Sequence, residues 1–246
     1  MTTALATAYS KGGYRSGEQS VIVVPRFYKP DGTVKGVMYV HGAAADALAI
    51  IDPTYSPKPY AVTDAGYPIV AFDFGDPAVA SGTTSGPQSF GSDNAITAAG
   101  SAKTFLQAGG TNGNFGSGPG AATSKFGIYA GSMGALIALN YLVSLATPSS
   151  VCSCVALAIP ALNLDDVYQN NKGSYRAAIG SAYGVTYPTA IPNLATHSPA
   201  ASSGTNLAKL SMPIHIWAAS DDPIASITGG EHRVERGGDR HGCGRP

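Results

Sequence analysis

The stretch Lys125–Ser144, KFGIYAGSMGALIALNYLVS, decides the fold. Its first part, Lys125–Ala130, is short and largely apolar, which predicts a buried strand. Its second part, Met133–Ser144, is a long and largely apolar run that predicts a helix. Gly131 and Ser132 alone separate the two parts. The chain must therefore turn from strand to helix within two residues.

The same alternation of apolar strands with helical segments runs through the chain. A second helix is predicted over Ser92–Gln107, where apolar residues recur at helical spacing and glycines follow. Further strands are predicted over Gln19–Tyr28, Lys35–His41, Tyr67–Asp73, Val151–Ile159 and Pro213–Ala219. Strands that alternate with helices imply parallel crossovers and a sheet covered on both faces. The expected fold class is three-layer α/β with a mostly parallel central sheet.

Composition excludes several classes of partner. The 246 residues suit one domain, and their formal net charge of zero, with 12% charged residues, leaves no basic surface for nucleic acid. No apolar run approaches the roughly 18 residues that a membrane span needs. Met1–Ser20 lacks the apolar core of a signal peptide. We therefore expect no membrane span and favour a cytoplasmic or virion-associated location, with compartment and oligomeric state left open.

Two segments depart from this regular alternation. Residues 162–207 carry four tyrosines among many small polar residues, and we interpret them as a small cap over the sheet. Residues 229–246 hold four of the seven arginines and six glycines but almost no aliphatic residues. Such a composition does not predict a packed helix or buried strand, so this tail is atypical, either disordered or foreign to the native protein. The whole chain, 1–246, is otherwise expected to form a single domain.

The five residues 130–134, AGSMG, carry the strongest chemical signal. A serine at a sharp turn from strand to helix is lifted away from the backbone, and small neighbours are needed because the turn is crowded. The helix that follows directs amide N–H groups and the positive end of its dipole towards the serine. Negative charge that develops on a substrate oxygen would be stabilised there. The alternative is that Ser132 is only a small residue in a tight turn.

With Ala130 in place of the first glycine, this motif resembles the G-x-S-x-G turn of the α/β-hydrolase family, and the resemblance extends over Val21–Ile224. It implies a nucleophilic Ser132. His41-Gly42 resembles the family's His-Gly loop, so Ala43 and Met133 would supply the two N–H groups of an oxyanion hole. His41 itself is interpreted as a structural residue that positions the loop.

A catalytic acid is implied by the stretch 217–224, WAASDDPI, which resembles the family's acid-bearing strand and turn. The carboxylate that directly precedes Pro-Ile is Asp222, and Asp221 is its neighbouring alternative. Asp165 or Asp166, after the preceding strand, is another location that the family uses. Asp73, in a stretch similar to the family's Asp-x-Gly turn, is interpreted as structural.

The base is the least certain member of the triad. The family order is serine, acid and then histidine, and the histidines that follow Asp222 are His232 and His241. His241 lies in GDRHG at 238–242 and resembles the family's base, but the interval after Asp222 is short for the expected helix and last strand. The genuine base could instead be missing from this sequence. His197 is assigned to the cap or its return, and His215 to a buried strand.

Taken together, the motifs predict a serine hydrolase that cleaves small-molecule or lipid-like carboxylic esters through an acyl-enzyme on Ser132. No metal-ligand spacing or phosphate-binding loop is present in the sequence, so no metal or cofactor is expected. The alternative is a catalytically impaired α/β-hydrolase-fold module that binds a partner or belongs to a virion, since the chain has a faint likeness to hydrolase-like proteins of actinobacterial phages. A lyase of the hydroxynitrile type is a third, weaker alternative.

Overall fold

The computed structural model describes residues 9–11, 20–25, 27–43, 45–50, 60–74, 90–108, 118–199, 205–218, 222 and 224. Within these residues one sheet contains seven strands. They are β1 Tyr9–Lys11, β2 Ser20–Val23, β3 Val37–Val40, β4 Ile69–Phe72, β5 Phe126–Gly131, β6 Cys152–Ala158 and β7 Ile214–Trp217. The strand order across the sheet is β1-β2-β4-β3-β5-β6-β7.

Strand direction in the sheet agrees with the prediction. β2 is antiparallel to both of its neighbours, whereas β3 to β7 pair in parallel. β2 is shorter than the predicted strand because Pro25 follows it closely and has no N–H group for a ladder. β1 was not predicted, since three residues give too short a pattern to recognise.

The helices connect the strands on both faces of the sheet. They are α1 Tyr60–Asp64, α2 Asp93–Gln107, α3 Met133–Ser144, α4 Pro148–Val151, α5 Leu164–Gln169, α6 Arg176–Tyr183, α7 Leu194–His197 and α8 Thr205–Ala208, with short 3-10 helices at Ala47–Ile50 and Lys172–Ser174. α2 and α3 begin and end within a residue of the prediction. Among the described residues, no helix combines the length and the apolar character that crossing a membrane requires.

Two separate clusters of buried apolar side chains lie on the two faces of the sheet. The larger one joins α2 and α3 to the central strands. The smaller one joins β2 and β4 to the 3-10 helix at Ala47–Ile50 and to α1. The sheet is therefore the middle of three layers, as the sequence pattern predicted. Burial is what holds α3 in place within its layer, since every residue from Met133 to Val143 is buried.

β7 departs from this layered packing. It pairs with β6 along one edge, and Ile216 and Trp217 are 40% and 52% exposed. His215 was predicted to be buried, and that prediction is wrong: its side chain is exposed and its ring lies 4.3 Å from that of Trp217. The reason is that β7 is one of the two edge strands among the described residues, so less of its surface is covered than in β5 or β6.

Candidate functional site

Ser132 lies at the turn between β5 and α3 with a strained backbone. Its φ of 49° and ψ of −121° are unusual for a residue with a side chain. Three backbone hydrogen bonds hold this conformation. The Ser132 N–H donates to the Ala158 carbonyl at 2.9 Å, and the Ser132 carbonyl accepts from Ala135 and Ala161, each at 3.1 Å. The surrounding backbone therefore over-determines the turn, and strain of this kind is commonly found at functional sites.

The neighbours of Ser132 explain why the motif needs small residues. A Cβ atom on Gly134 would lie 2.2 Å from the Val40 carbonyl oxygen and 2.4 Å from that of His41. α3 can therefore start beneath β3 only with glycine at this position. Ala130 is fully buried and pairs in register with Val40 and Leu157. The methyl group that distinguishes Ala130 from the glycine of the usual motif is therefore buried within the sheet.

The loop after β3 approaches Ser132 closely. A Cβ atom on Gly42 would lie 3.2 Å from Ser132 Cβ and 3.9 Å from Ser132 Oγ. Ala43, the next residue, therefore lies beside the serine hydroxyl and contributes to the same pocket. Met133 is the first residue of α3, so its N–H group has no acceptor within the helix. Both predicted oxyanion-hole residues are thus placed around Ser132.

A pocket with about 300 Å³ of empty space, including space open to solvent, adjoins this turn. It lies at the carboxyl ends of the parallel strands, where α/β proteins commonly bind ligands. Among the described residues that line it, none carries a charge. These residues are Ala43, Phe90, Ser132, Met133, Leu136, Ala161, Leu164, Val167, Tyr175 and Ile224. The pocket therefore offers an apolar surface next to one hydroxyl group and a helix N-terminus.

Asp222 follows β7 and is half-buried. Its Oδ1 accepts a hydrogen bond from the Ile224 N–H at 2.7 Å, so the carboxylate stabilises the turn that it begins. Ile224 lines the pocket, and a Cβ atom on Gly173 would lie 2.8 Å from its Cδ1. The Asp222 turn therefore contacts the 162–207 segment close to the pocket that contains Ser132.

The alternative acids Asp165 and Asp166 lie in the first turn of α5. Leu164 and Val167, three residues apart on one face of that helix, line the pocket, whereas residues between them point elsewhere. Asp165 accepts a hydrogen bond from Gln169 at 3.3 Å.

The carboxylate of Asp166 is bound by two neighbouring side chains. It forms a salt bridge with Lys172 and accepts from Asn170 Nδ2 at 2.7 Å. Burial acts to raise the pKa of Asp166, but the hydrogen bonds from Lys172 and Asn170 and the charge of Lys172 outweigh it and lower that pKa. The carboxylate is thus held ionised by groups of its own segment.

His41 and Asp73 belong to the support of the loop after β3. The buried His41 ring stacks on Phe74 with centroids 4.1 Å apart, and its Nδ1 lies 2.9 Å from the Gly42 carbonyl oxygen. Asp73 Oδ1 accepts from the Ala47 N–H at 2.6 Å and lies 3.5 Å from His41 Nε2. These contacts fix the loop from the side away from the pocket, which agrees with a structural role for both residues.

Both candidate bases, His241 and His232, lie outside the described residues. The alternative acid Asp221 and the whole tail 229–246 also lie outside them. His197 is described at the end of α7, and its backbone carbonyl binds Asn140 Nδ2 at 2.8 Å. Asn140 lies seven residues after Met133, or roughly 10 Å along the helix axis, so His197 is not adjacent to Ser132.

Phe90 is a pocket residue that had no signal in the sequence analysis. Ile224 was noted only as part of the stretch that carries the acid, and the folded chain brings both residues to the serine motif. The tyrosines of the 162–207 segment were a partial signal. Tyr175 lines the pocket, whereas Tyr168 and Tyr183 donate to the backbone carbonyls of Thr189 and Phe90. The segment thus supplies both pocket surface and structural hydrogen bonds.

Within the part of the chain that the structure describes, no group of three or more His, Cys, Asp or Glu side chains is arranged to hold a metal ion.

Comparison of the sequence with protein-family models and with curated proteins finds no match. The fold, in contrast, is similar to those of many solved structures. Acylaminoacyl peptidase from Pyrococcus horikoshii matches 91% of this chain with 14% identity and a TM-score of 0.60. Prolyl oligopeptidase B from Galerina marginata matches 89% with 16% identity and a TM-score of 0.56. Esterase 2 from Thermogutta terrifontis matches 92% with 16% identity and a TM-score of 0.54.

These neighbours establish that the chain has the α/β-hydrolase fold. The chain spans about a third or less of the length of the two peptidases, 33% and 28%, but 76% of the esterase. The comparisons give no support to the likeness to actinobacterial-phage proteins.

Proposed function

We propose that the protein is a serine hydrolase that cleaves carboxylic esters through an acyl-enzyme on Ser132. The observation that carries this proposal is the strained backbone of Ser132 at the start of α3, inside an apolar pocket. Such a turn exposes a hydroxyl to a substrate while the helix N-terminus faces the developing oxyanion. An unreactive serine would not need that conformation.

In the proposed reaction, Ser132 Oγ attacks the ester carbonyl carbon while a histidine accepts the hydroxyl proton. The N–H groups of Ala43 and Met133 bind the oxyanion of the tetrahedral intermediate. The intermediate collapses, the histidine protonates the leaving alcohol, and an acyl-enzyme remains. Water then attacks the acyl-enzyme with the same histidine as base, which releases the acid and restores Ser132.

We assign the base to His241 and the supporting carboxylate to Asp222. Asp222 is favoured over Asp166 because Lys172 and Asn170 already bind the Asp166 carboxylate, whereas Ile224 ties the Asp222 turn to the pocket. Asp222 would accept the second imidazole N–H and stabilise the imidazolium. His232 is the competing base and is tested directly below.

The described residues that line the pocket carry no charge, which suits a neutral ester. Proteins of similar fold include both an esterase and peptidases, so the two activities are compared directly. A comparison of p-nitrophenyl butyrate with the matching p-nitroanilide measures this preference. A larger kcat/KM for the anilide would contradict ester specificity and leave the serine mechanism intact.

Covalent labelling tests the nucleophile. The comparison esterase was phosphoramylated by tabun, so an organophosphorus reagent is a suitable probe. We expect a fluorophosphonate to label Ser132, as located by peptide mass spectrometry, and labelling to be lost in Ser132→Ala but retained in Ser150→Ala, an exposed control in α4.

Two histidine variants then assign the base. His241→Ala should slow labelling and ester hydrolysis by about 10³-fold or more, while His232→Ala should not. The reverse order would transfer the role to His232. Normal labelling in both variants would exclude both histidines, and no labelling of the wild-type chain would favour a non-catalytic binding module.

A further inference from the structure

Phe90 forms one wall of the pocket, and its backbone is as unusual as that of Ser132. Its φ is 24°, and Gly91, the next residue, has a φ of 75°. Phe90 is nevertheless only 3% exposed. Left-handed backbone at a bulky residue costs free energy and persists only where surrounding contacts impose it. The contacts that impose it here can be identified.

The partly buried Tyr183 and the buried Asn140 bind the backbone of this loop. Tyr183 Oη donates to the Phe90 carbonyl at 2.8 Å, and Asn140 Nδ2 donates to the Gly91 carbonyl at 3.0 Å. Burial raises the pKa of Tyr183, and the charge of Asp93 adds to this effect, so the phenol keeps the proton that it donates. A Cβ atom on Gly91 would lie 2.4 Å from Asn140 Nδ2, so the loop fits against Asn140 only with glycine there.

Asn140 also joins this loop to the end of the 162–207 segment. The same Nδ2 atom donates to the His197 carbonyl at 2.8 Å, and His197 Nε2 lies 3.1 Å from Asp93 Oδ1 at the start of α2. The His197 ring packs edge-on against Tyr183 with centroids 5.2 Å apart. The Phe90 loop is thus connected by side-chain contacts to α2, α3, α6 and α7.

This support makes Phe90 a rigid wall. Its ring lies 5.5 Å from that of Tyr175, which is another pocket residue. Leu164 and Val167 of α5 line the same pocket and are buried. The bonds that hold the loop backbone are in place before any ligand enters, and the buried Phe90 ring packs against Tyr175, so the ring moves aside only if its neighbours repack. The depth available to an apolar group is therefore limited by Phe90.

We infer that Phe90 sets the size of an apolar acyl subsite, with Tyr183 and Asn140 as positioning residues, and that the site takes neutral esters whose acyl group is a short alkyl chain or one aromatic ring. This inference rests on the proposed function for the cleavage of the ester. The preference for the acyl group is a property of binding and can be tested separately. The described lining around Phe90 is apolar and uncharged, with Tyr175, Leu164 and Val167 beside it, so it suits a small apolar acyl group and not a charged one.

The preference is measured with p-nitrophenyl esters from acetate to decanoate and with the phenylacetate ester. For the wild type, kcat/KM should rise about fourfold per added methylene while the pocket fills. It should then fall for the longest chains, which meet Phe90. Phe90→Ala should move the optimum to chains at least about two carbons longer, and Phe90→Leu, which restores most of the volume, should move it back.

A matched pair of tyrosine variants tests the positioning role. Tyr183→Phe keeps the ring but removes the hydrogen bond to Phe90, and should raise the ratio of decanoate to butyrate kcat/KM about two- to tenfold. Tyr168→Phe is the control, because Tyr168 makes the same kind of bond, at 3.1 Å, but to the Thr189 carbonyl and not to Phe90. An equal change in both variants would overturn the positioning role.

Binding to the Ser132→Ala protein separates this inference from the proposed reaction. Methyl phenylacetate and methyl decanoate are titrated into Ser132→Ala and into Ser132→Ala with Phe90→Ala. Stronger binding of decanoate only in the double variant supports the subsite even if Ser132 proves unreactive. The same chain-length preference in both proteins would overturn the inference, and so would binding of the phenylacetate anion as strong as that of methyl phenylacetate. Neither result would affect the labelling experiment.

Discussion

The turn at Ser132 and the end of β7 supply different parts of the proposed site and are built differently. The turn is fixed by three backbone hydrogen bonds and lies between elements that are buried on all sides. β7, which leads to Asp222, has exposed Ile216 and Trp217 and pairs with β6 along one edge. The position of the nucleophile is therefore set by local backbone geometry, whereas that of the acid depends on an exposed edge strand of the described sheet.

The largest loss of stability is expected from a substitution that disrupts the Ser132 turn. Gly134→Val should lower the free energy of unfolding by more than about 4 kcal/mol, because its Cβ would overlap the backbone oxygens of Val40 and His41. Gly100→Ala in α2 is the control, since a Cβ there meets only Tyr141 at 3.7 Å. It should be neutral or add about 0.5–1 kcal/mol. Urea denaturation measures both, and a mild effect at Gly134 would mean that the turn can relax.

The same substitution placed in the two regions compares them directly. Ile128→Thr in β5 should cost about 2–4 kcal/mol, because Ile128 is buried and the new hydroxyl would lose its hydration. Ile216→Thr in β7 should cost less than about 0.5 kcal/mol, because threonine favours a strand equally and the site is exposed. Denaturant midpoints of the two variants test the comparison. Equal losses would show that β7 is covered in solution.

The smallest effect isolates the strain at Ser132. Ser132→Gly should raise the free energy of unfolding by about 1 kcal/mol, because glycine adopts a positive φ without the steric cost. Ser132→Ala removes the same hydroxyl but keeps the Cβ atom, so it should not gain this stability. If the two variants were equally stable by thermal unfolding, the backbone of Ser132 would not be strained.

The Ser132 turn, which depends on local backbone geometry, was also the part that could be predicted best from the sequence. The strand and helix that flank Ser132 were predicted to within a residue, because their pattern is local and continuous. The 162–207 segment was interpreted as a cap from its composition, and that interpretation stays a prediction. Which of its tyrosines reaches the pocket was not predicted. Phe90 was not predicted as a pocket residue, since its position depends on Tyr183 and Asn140, which lie far along the chain.

His215 shows the opposite error. Its strand reads as a buried one, and the prediction assumed that both faces of every strand are covered. A strand's local pattern does not say whether it is central or outermost, because that depends on which strands pair across the sheet. The Ser132 turn carried no such ambiguity, since its steric requirement is met by its immediate neighbours.

The bonds from Ala158 and Ala161 to the Ser132 backbone have a practical consequence. They fix the backbone at residues 158–161, just before the 162–207 segment, against Ser132. The part of the chain that can be exchanged without disturbing the serine therefore begins after residue 161. A chimera that exchanges this segment for another should therefore keep everything up to residue 161 and begin the graft beyond it. Grafts of this kind would alter which molecules enter while leaving the reacting oxygen where it is.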